Sequence, residues 1–278
     1  MPEAKPKKKH FMDYVRIPTK KTGEFCQVHT DTELITDVYN HAKPFCPKCA
    51  AENLEKEKIS FNRKITREAI TKYMYRYSLI DNPLDWECSF DDFKAEKGTK
   101  EFEVKQKARL LAGAYLKNTD GTVNNRKRFN TIFFGNSGAG KTHLAISMLK
   151  GVNEYSKPAK RCLFINVNTL MDHIFSSFNN PTEMWTKEYS IKLIGNADLV
   201  VLDDLGTESS MTDKGQASEF VQKLLYRISN RPTELIITTN LSQQQFKRTY
   251  NSKIISRLFA NTKNSIVDFS GITDKRQM

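Results

Sequence analysis

The sequence predicts an α/β protein in which five parallel strands carry helices on both faces, with a small metal-bound module ahead of them. Three observations lead there. Short apolar runs at 131–134, 162–167, 199–202, 235–238 and 265–269 alternate with helical segments, the pattern of a parallel sheet covered on both sides. A glycine-rich octapeptide follows the first of these runs directly. Four cysteine and histidine residues fall into two close pairs between positions 26 and 49.

With 278 residues, 38% of them hydrophobic, the chain is long enough for one α/β core and a smaller module. The expected division is 1–80 for the metal module and a helical connector, and 81–278 for the larger domain. The formal charge of +12 points to polyanionic partners, because each phosphate paired with Lys or Arg releases condensed counterions. Nucleic acid comes first among them and an anionic membrane surface second. No run of about 18 apolar residues occurs, and the lysine-rich start lacks the apolar segment of a signal peptide. A soluble, unexported protein that makes no use of a membrane is expected. Five cysteines, two of them in Cys46-Pro47-Lys48-Cys49, read as reduced thiols or metal ligands, which suits the cytoplasm.

Along the chain, residues 1–22 are basic and poor in apolar side chains, which predicts a mobile arm at least through Lys9. Lys7 to Lys9 is either a phosphate-binding arm or a solvated tail. The cysteine and histidine segment spans 23–50. Over 51–80 the apolar positions Ile65, Ala69, Ile70, Tyr73, Met74 and Tyr77 have the spacing of an amphipathic helix. The stretch 81–92 contains Pro83 and several poor helix formers, so it marks the entry to the second domain. A helical pattern at 101–116 and a polar turn at 118–127 lead to the first strand. No internal repeat is present.

The octapeptide Gly135-Asn136-Ser137-Gly138-Ala139-Gly140-Lys141-Thr142 has the spacing of a phosphate-binding loop, and its flanks are the strand and helix such a loop requires. Glycines let successive backbone N–H groups turn inward, where they and the helix N-terminus attract phosphate. In that role Lys141 bridges the β- and γ-phosphates of ATP, and the Thr142 hydroxyl ligates Mg²⁺.

Further on, the apolar run at 199–202 ends in Asp203 and Asp204. Open α/β sheets bind ligands at the carboxyl ends of their strands, so Asp203 is the natural Mg²⁺ partner and Asp204 the group that polarises an attacking water. Asp204 is one methylene shorter than a glutamate, which suits slow turnover. Asn240 ends the next apolar run; its amide either bonds the γ-phosphate or the water, or caps the following helix. Arg257, in Ile254-Ile255-Ser256-Arg257-Leu258, is either an arginine finger that reaches a neighbouring subunit's nucleotide or a plain surface residue.

This ordered set resembles the DnaC/DnaI helicase loaders and the IstB ATPases of transposition, all of the AAA+ class. The likeness runs over about 81–278. It rests on Cys88-Ser89-Phe90-Asp91-Asp92-Phe93, the phosphate loop followed by His143-Leu144-Ala145, Asp203-Asp204-Leu205-Gly206, Thr238-Thr239-Asn240, Ser256-Arg257-Leu258 and Asp274-Lys275-Arg276. The resemblance implies that His143 joins the nucleotide-binding residues, that Asn240 is the sensor-1 residue, that Arg257 is the finger, and that Arg276 is the sensor-2 arginine. The short ending after Asn240, too brief for a full helical lid, is similar to the loaders as well.

Cys26-Gln27-Val28-His29 and Cys46-Pro47-Lys48-Cys49 each hold two ligands at a spacing that lets both reach one ion, and a Cys₃His set suits structural Zn²⁺. His41 is an alternative nitrogen ligand, and free reduced cysteines are the metal-free reading. Cys88 and Cys162 sit in apolar contexts and read as packing residues. A zinc module ahead of the ATPase resembles the amino-terminal domain of the DnaI branch, which docks onto the helicase. For single-stranded DNA, basic residues with aromatics recur at 73–77, and Phe175, Phe178 and Trp185 lie in the segment 168–194, where loaders and initiators resemble one another in facing DNA. Aromatics at helical spacing are more often core. The function so implied is ATP-dependent loading of a hexameric replicative helicase onto single-stranded DNA, with self-association through the ATPase domain. The alternatives are an IstB-like ATPase assisting a transposase and a non-hydrolysing, ATP-dependent DNA-binding module.

Overall fold

The computed structural model describes residues 18–38, 43–117, 127–207 and 217–274. The lysine run, His41, the polar turn at 118–126 and Arg276 lie outside them. Two compact units meet in sequence between Thr66 and Arg67.

In the smaller unit, β1 (Thr19–Phe25) and β2 (Glu33–Asp37) form an antiparallel pair with an irregularity between Lys21 and Phe25. Ile35 and Phe45 exchange backbone hydrogen bonds of 2.9 Å, which brings Cys46 back to the pair. Helix α1 (Pro47–Tyr77) then begins with Pro at its first position, where the missing N–H costs nothing and the fixed φ is already helical. Its residues 51–66 are exposed throughout, Ile65 at 49%.

The larger unit takes up the rest of α1 and runs from Arg67 onward, so residues 67–80 belong to it. The amphipathic pattern read over 65–77 is used only from Ile70 onward: Met74 is fully buried, Tyr73 and Tyr77 are partly buried, and Ala69 remains exposed. The Arg67 guanidinium donates to the Ser156 carbonyl at 3.0 Å, satisfying a free carbonyl beyond a helix end. After Tyr77 the chain becomes extended. Leu79 pairs with the strand Cys162–Asn166 through hydrogen bonds of 2.8 Å to Phe164 and 2.9 Å from Asn166, which covers that strand's outer edge.

The remaining elements are α2 (Lys100–Tyr115), β3 (Thr131–Phe134), α3 (Lys141–Tyr155), β4 (Cys162–Asn166), α4 (Val167–Ser176), α5 (Lys187–Gly195), β5 (Leu199–Asp203), α6 (Glu219–Ser229), β6 (Glu234–Thr239), α7 (Gln243–Thr249), α8 (Ser252–Leu258) and β7 (Ile266–Asp268). All five strands of the larger sheet are parallel, in the order β4-β5-β6-β3-β7. Each strand-like run foreseen in the sequence is present, with no end shifted by more than one residue.

Two cores follow from strand alternation. Ile132, Phe134, Val200, Leu202 and Ile237 face α4 to α8, whereas Phe133, Phe164, Leu199, Val201 and Ile236 face α2 and α3. Helix α2 is capped by Thr99, whose hydroxyl accepts from the Phe102 N–H, and buries Val104, Ala108, Leu111 and Tyr115 on one face. Cys162 is fully buried in the second core and burial pushes its thiol up; Cys88 packs against the same core, half-buried. Both act as packing residues. Among the described residues no helix is long and apolar enough to cross a membrane.

Candidate functional site

The phosphate loop joins β3 to α3. Gly140 takes a left-handed φ of 87° and caps the helix that Lys141 opens; a Cβ there would stand 2.5 Å from the Phe93 ring. Lys141 is 5% exposed. Its Nζ donates to the carbonyls of Gly135 at 2.8 Å and Asn136 at 2.6 Å, and to Oδ1 of Asn240 at 2.7 Å. The amine is therefore held at the loop by three oxygens that a phosphate oxygen can replace.

Strands β3, β6 and β5 are neighbours, so their carboxyl ends bring the loop, Asn240 and the two aspartates together. Asp203 is 3% exposed; its carboxylate accepts from Thr142 Oγ1 at 2.9 Å and from Thr238 Oγ1 at 2.7 Å. Burial first, and the Asp204 charge second, push its pKa up to about 7, against the lowering effect of the two hydroxyls and Lys141. A divalent cation between Thr142 and Asp203 relieves that cost, so these residues fit Mg²⁺. Asp204 sits at φ 55°, uncommon for a residue with a Cβ, and its N–H is held by Thr238 Oγ1 at 3.0 Å. The Asn240 amide donates to Asp204 Oδ1 at 3.4 Å. Asn240 does not cap the next helix: Ser242 does, in a reciprocal capping box with Gln245.

A cleft of about 1100 Å³ opens over the loop and includes Lys141, Thr142, His143, Asp203, Asp204 and Asn240. One of its walls comes from residues 80–101, a contribution that sequence reasoning missed. There His143 Nε2 lies 2.7 Å from the Ser89 carbonyl, and its ring meets Phe93 edge-on at 5.5 Å. The only signal available was the Ser89 to Phe93 stretch quoted for the family resemblance, which carried no spacing rule linking it to the loop.

Arg257 is not among the residues lining this cleft. It lies half-buried on α8, donating to Asn230 Oδ1 at 2.6 Å and the Lys253 carbonyl at 3.0 Å, with its guanidinium 4.5 Å from the Tyr226 ring centre. Of the aromatics considered for DNA, Trp185 is 8% exposed and belongs to the core, and Tyr73 and Tyr77 pack against it. Phe175 and Phe178 are exposed and meet Phe220 at ring distances of 5.5 and 5.8 Å.

In the smaller unit the ligand atoms of Cys26, His29, Cys46 and Cys49 all lie within 4.8 Å of one another. Cys26 Sγ is 3.6 Å from Cys49 Sγ, and His29 Nδ1 is 3.2 Å from Cys49 Sγ and 3.7 Å from Cys46 Sγ. Four ligands at ordinary zinc bond lengths around a tetrahedron stand roughly 3.8 Å apart for sulfur pairs, so the set fits Zn²⁺. The His29 and Cys49 amides point to Cys26 Sγ at 3.3 Å and Cys46 Sγ at 3.5 Å. The His29 amide is the main cause holding the Cys26 thiol down at about 6, while the hydrogen bond to Cys26, and then burial, push the Cys49 thiol up to about 11, so the two sulfurs share one proton. His29 Nε2 meets Glu52 Oε1 at 3.1 Å, which fixes the ring with Nδ1 toward the sulfurs.

A phosphate loop on the first-threaded strand of a parallel sheet, with a buried aspartate on its threonine, defines a P-loop nucleotide-binding protein. The model of the IstB-like ATP binding proteins matches residues 86–260, and the chain belongs to that family. Among curated proteins none matches. Solved structures similar to this chain include domain III of the replication initiation protein DnaA from Thermotoga maritima, at 19% identity and TM-score 0.47, covering 67% of each chain. The DnaC helicase loader is similar at 22% identity and TM-score 0.46, over 67% of this chain and 99% of that one. DnaI is similar at 14% identity and TM-score 0.49, over 69% and 95%.

Proposed function

We propose that this ATP-binding protein loads a hexameric replicative helicase onto single-stranded DNA and works as an ATP/ADP switch. The observation that carries the switch is the chain of contacts from Asn240 through Lys141 to the phosphate loop, beside Thr142 and Asp203. Lys141 exchanges its carbonyl partners for phosphate oxygens when ATP enters, and the Asn240 amide oxygen then loses or keeps its partner according to whether a γ-phosphate is present. Thr142 and Asp203 would hold Mg²⁺, which neutralises charge on the phosphate oxygens. Asp204, turned by its left-handed backbone and steadied by Asn240, orients the attacking water. Arg257, remote from its own cleft, serves a neighbouring subunit, which makes self-association part of the cycle. Arg276 is assigned to the γ-phosphate by the family resemblance alone.

The Cys₃His unit supports the loader over other readings, since a closed metal site gives a small segment the rigidity to present a docking face. The exposed pair Phe175 and Phe178, in a chain of net charge +12, supports contact with single-stranded DNA. A second reading, an ATPase that assists a transposase, is favoured by the family match itself and uses the same site. Co-purification decides: capture of a hexameric replicative helicase in the presence of ATP, lost when Cys46 and Cys49 are replaced by serine, is the expected result. Capture of a transposase in its place overturns the loader.

A further inference from the structure

The carboxyl-terminal segment reaches back to the phosphate loop. Phe269 is fully buried and donates its N–H to the Phe134 carbonyl at 2.7 Å, at the point where the loop leaves β3. Ile272 is 2% exposed and anchors the segment a second time. Beyond that anchor Thr273 lines the cleft, and Asp274 comes against Gly138: a Cβ on that glycine would stand 1.9 Å from Asp274 Oδ1, 2.1 Å from Cγ and 2.6 Å from Oδ2. The carboxylate thus fills the space beside Gly138 that any other residue's side chain would take.

We propose that Asp274 is a built-in competitor for the phosphates. A carboxylate and a phosphate offer the same thing to this loop, anionic oxygens for inward N–H groups and the positive end of α3. Two anions in contact repel, so both cannot use the loop at once. Nucleotide entry requires residues 273–274 to lift, while the Phe269 and Ile272 anchors stay in place. The displacement subtracts from affinity: a loop covered nine-tenths of the time binds about tenfold more weakly than an open one. The inference rests on the nucleotide reading of the loop and adds a brake to it.

The test is titration of the full chain with a fluorescent ATP analogue and Mg²⁺, comparing the parent with Asp274→Asn and Asp274→Ala. Both variants should bind tighter, by about tenfold. A gain of affinity is not what a merely structural residue gives on removal. Unchanged or weaker binding in the variants, with the parent binding normally, overturns the competitor and leaves the nucleotide site standing. Absence of binding in parent and variants alike removes the nucleotide reading and this inference with it.

Discussion

The Nζ of Lys141 lies 2.7 Å from Oδ1 of Asn240, which links the phosphate loop after β3 to the end of the neighbouring strand β6. Through this contact Asn240, at the end of β6, and the lysine of the phosphate loop share one hydrogen bond. The two residues should then separate in function. Lys141→Ala should abolish measurable magnesium-dependent ATP binding. Asn240→Ala should leave binding within about threefold and lower hydrolysis by roughly 10²-fold, the scale of one lost hydrogen bond to a reacting group. Calorimetry and phosphate release check the pair; equal losses of binding in both variants would count against a sensing role.

Asp203 sets a pH dependence whose sign follows from its burial. Its folded pKa, about 7, lies above the ordinary aspartate value of 3.8, so between those values the folded chain holds a proton that the unfolded chain has released. Stability therefore falls as pH rises through that window and stays reduced above it. Asp203→Asn removes the cost: without nucleotide or metal its melting temperature should match the parent's near pH 4 and exceed it at pH 8, by about 2–4 °C for each kcal/mol regained. The same variant should lose Mg²⁺-dependent nucleotide affinity. Melting curves that differ equally at both pH values would contradict the assignment.

The amino-terminal cluster should hold one zinc ion for structure. Chelation should unfold the smaller unit, read by loss of protection from protease over 18–66, without altering nucleotide affinity. Glu52→Gln, which weakens the partner of His29 Nε2, should lower zinc affinity by about tenfold. Metal analysis of purified protein gives a direct check; a chain that contains no zinc and still resists protease refutes the metal.

Arg257 should act between subunits. Arg257→Ala should bind ATP normally and hydrolyse it at least about tenfold more slowly with single-stranded DNA present. Mixing this variant with Lys141→Ala should recover part of the activity, because one supplies the intact loop and the other the arginine. No recovery would leave Arg257 as the α8-to-α6 fastener that its bonds to Asn230 and the Tyr226 ring describe.

Much of the larger unit was legible because its signals are local. A strand buried on both faces reads as a short apolar run wherever it occurs, as β3 to β6 did, and β7 was still legible although only Val267 in it is buried. The phosphate loop is contiguous, so spacing alone placed Lys141 and Thr142. The amphipathic reading of α1 overreached at Ile65 and Ala69, since periodicity states which face is apolar and not how far along the helix a partner extends. The β1–β2 pair went unseen because β1 is almost wholly exposed and the two strands carry few apolar residues.

The chemistry is local in the chain: a phosphate loop, a strand ending in paired acids, and four metal-ligand side chains in two close pairs, each written into a few adjacent residues. Tertiary structure alone decided which of these meet. Parallel strands in the order β5-β6-β3 set Asp203 on Thr142 and Asn240 on Lys141 across 61 and 99 residues of chain. It also laid Phe93 on Gly140 and Asp274 on Gly138. Such approaches depend on strand order and on the empty space at a glycine, and no spacing along the chain encodes either.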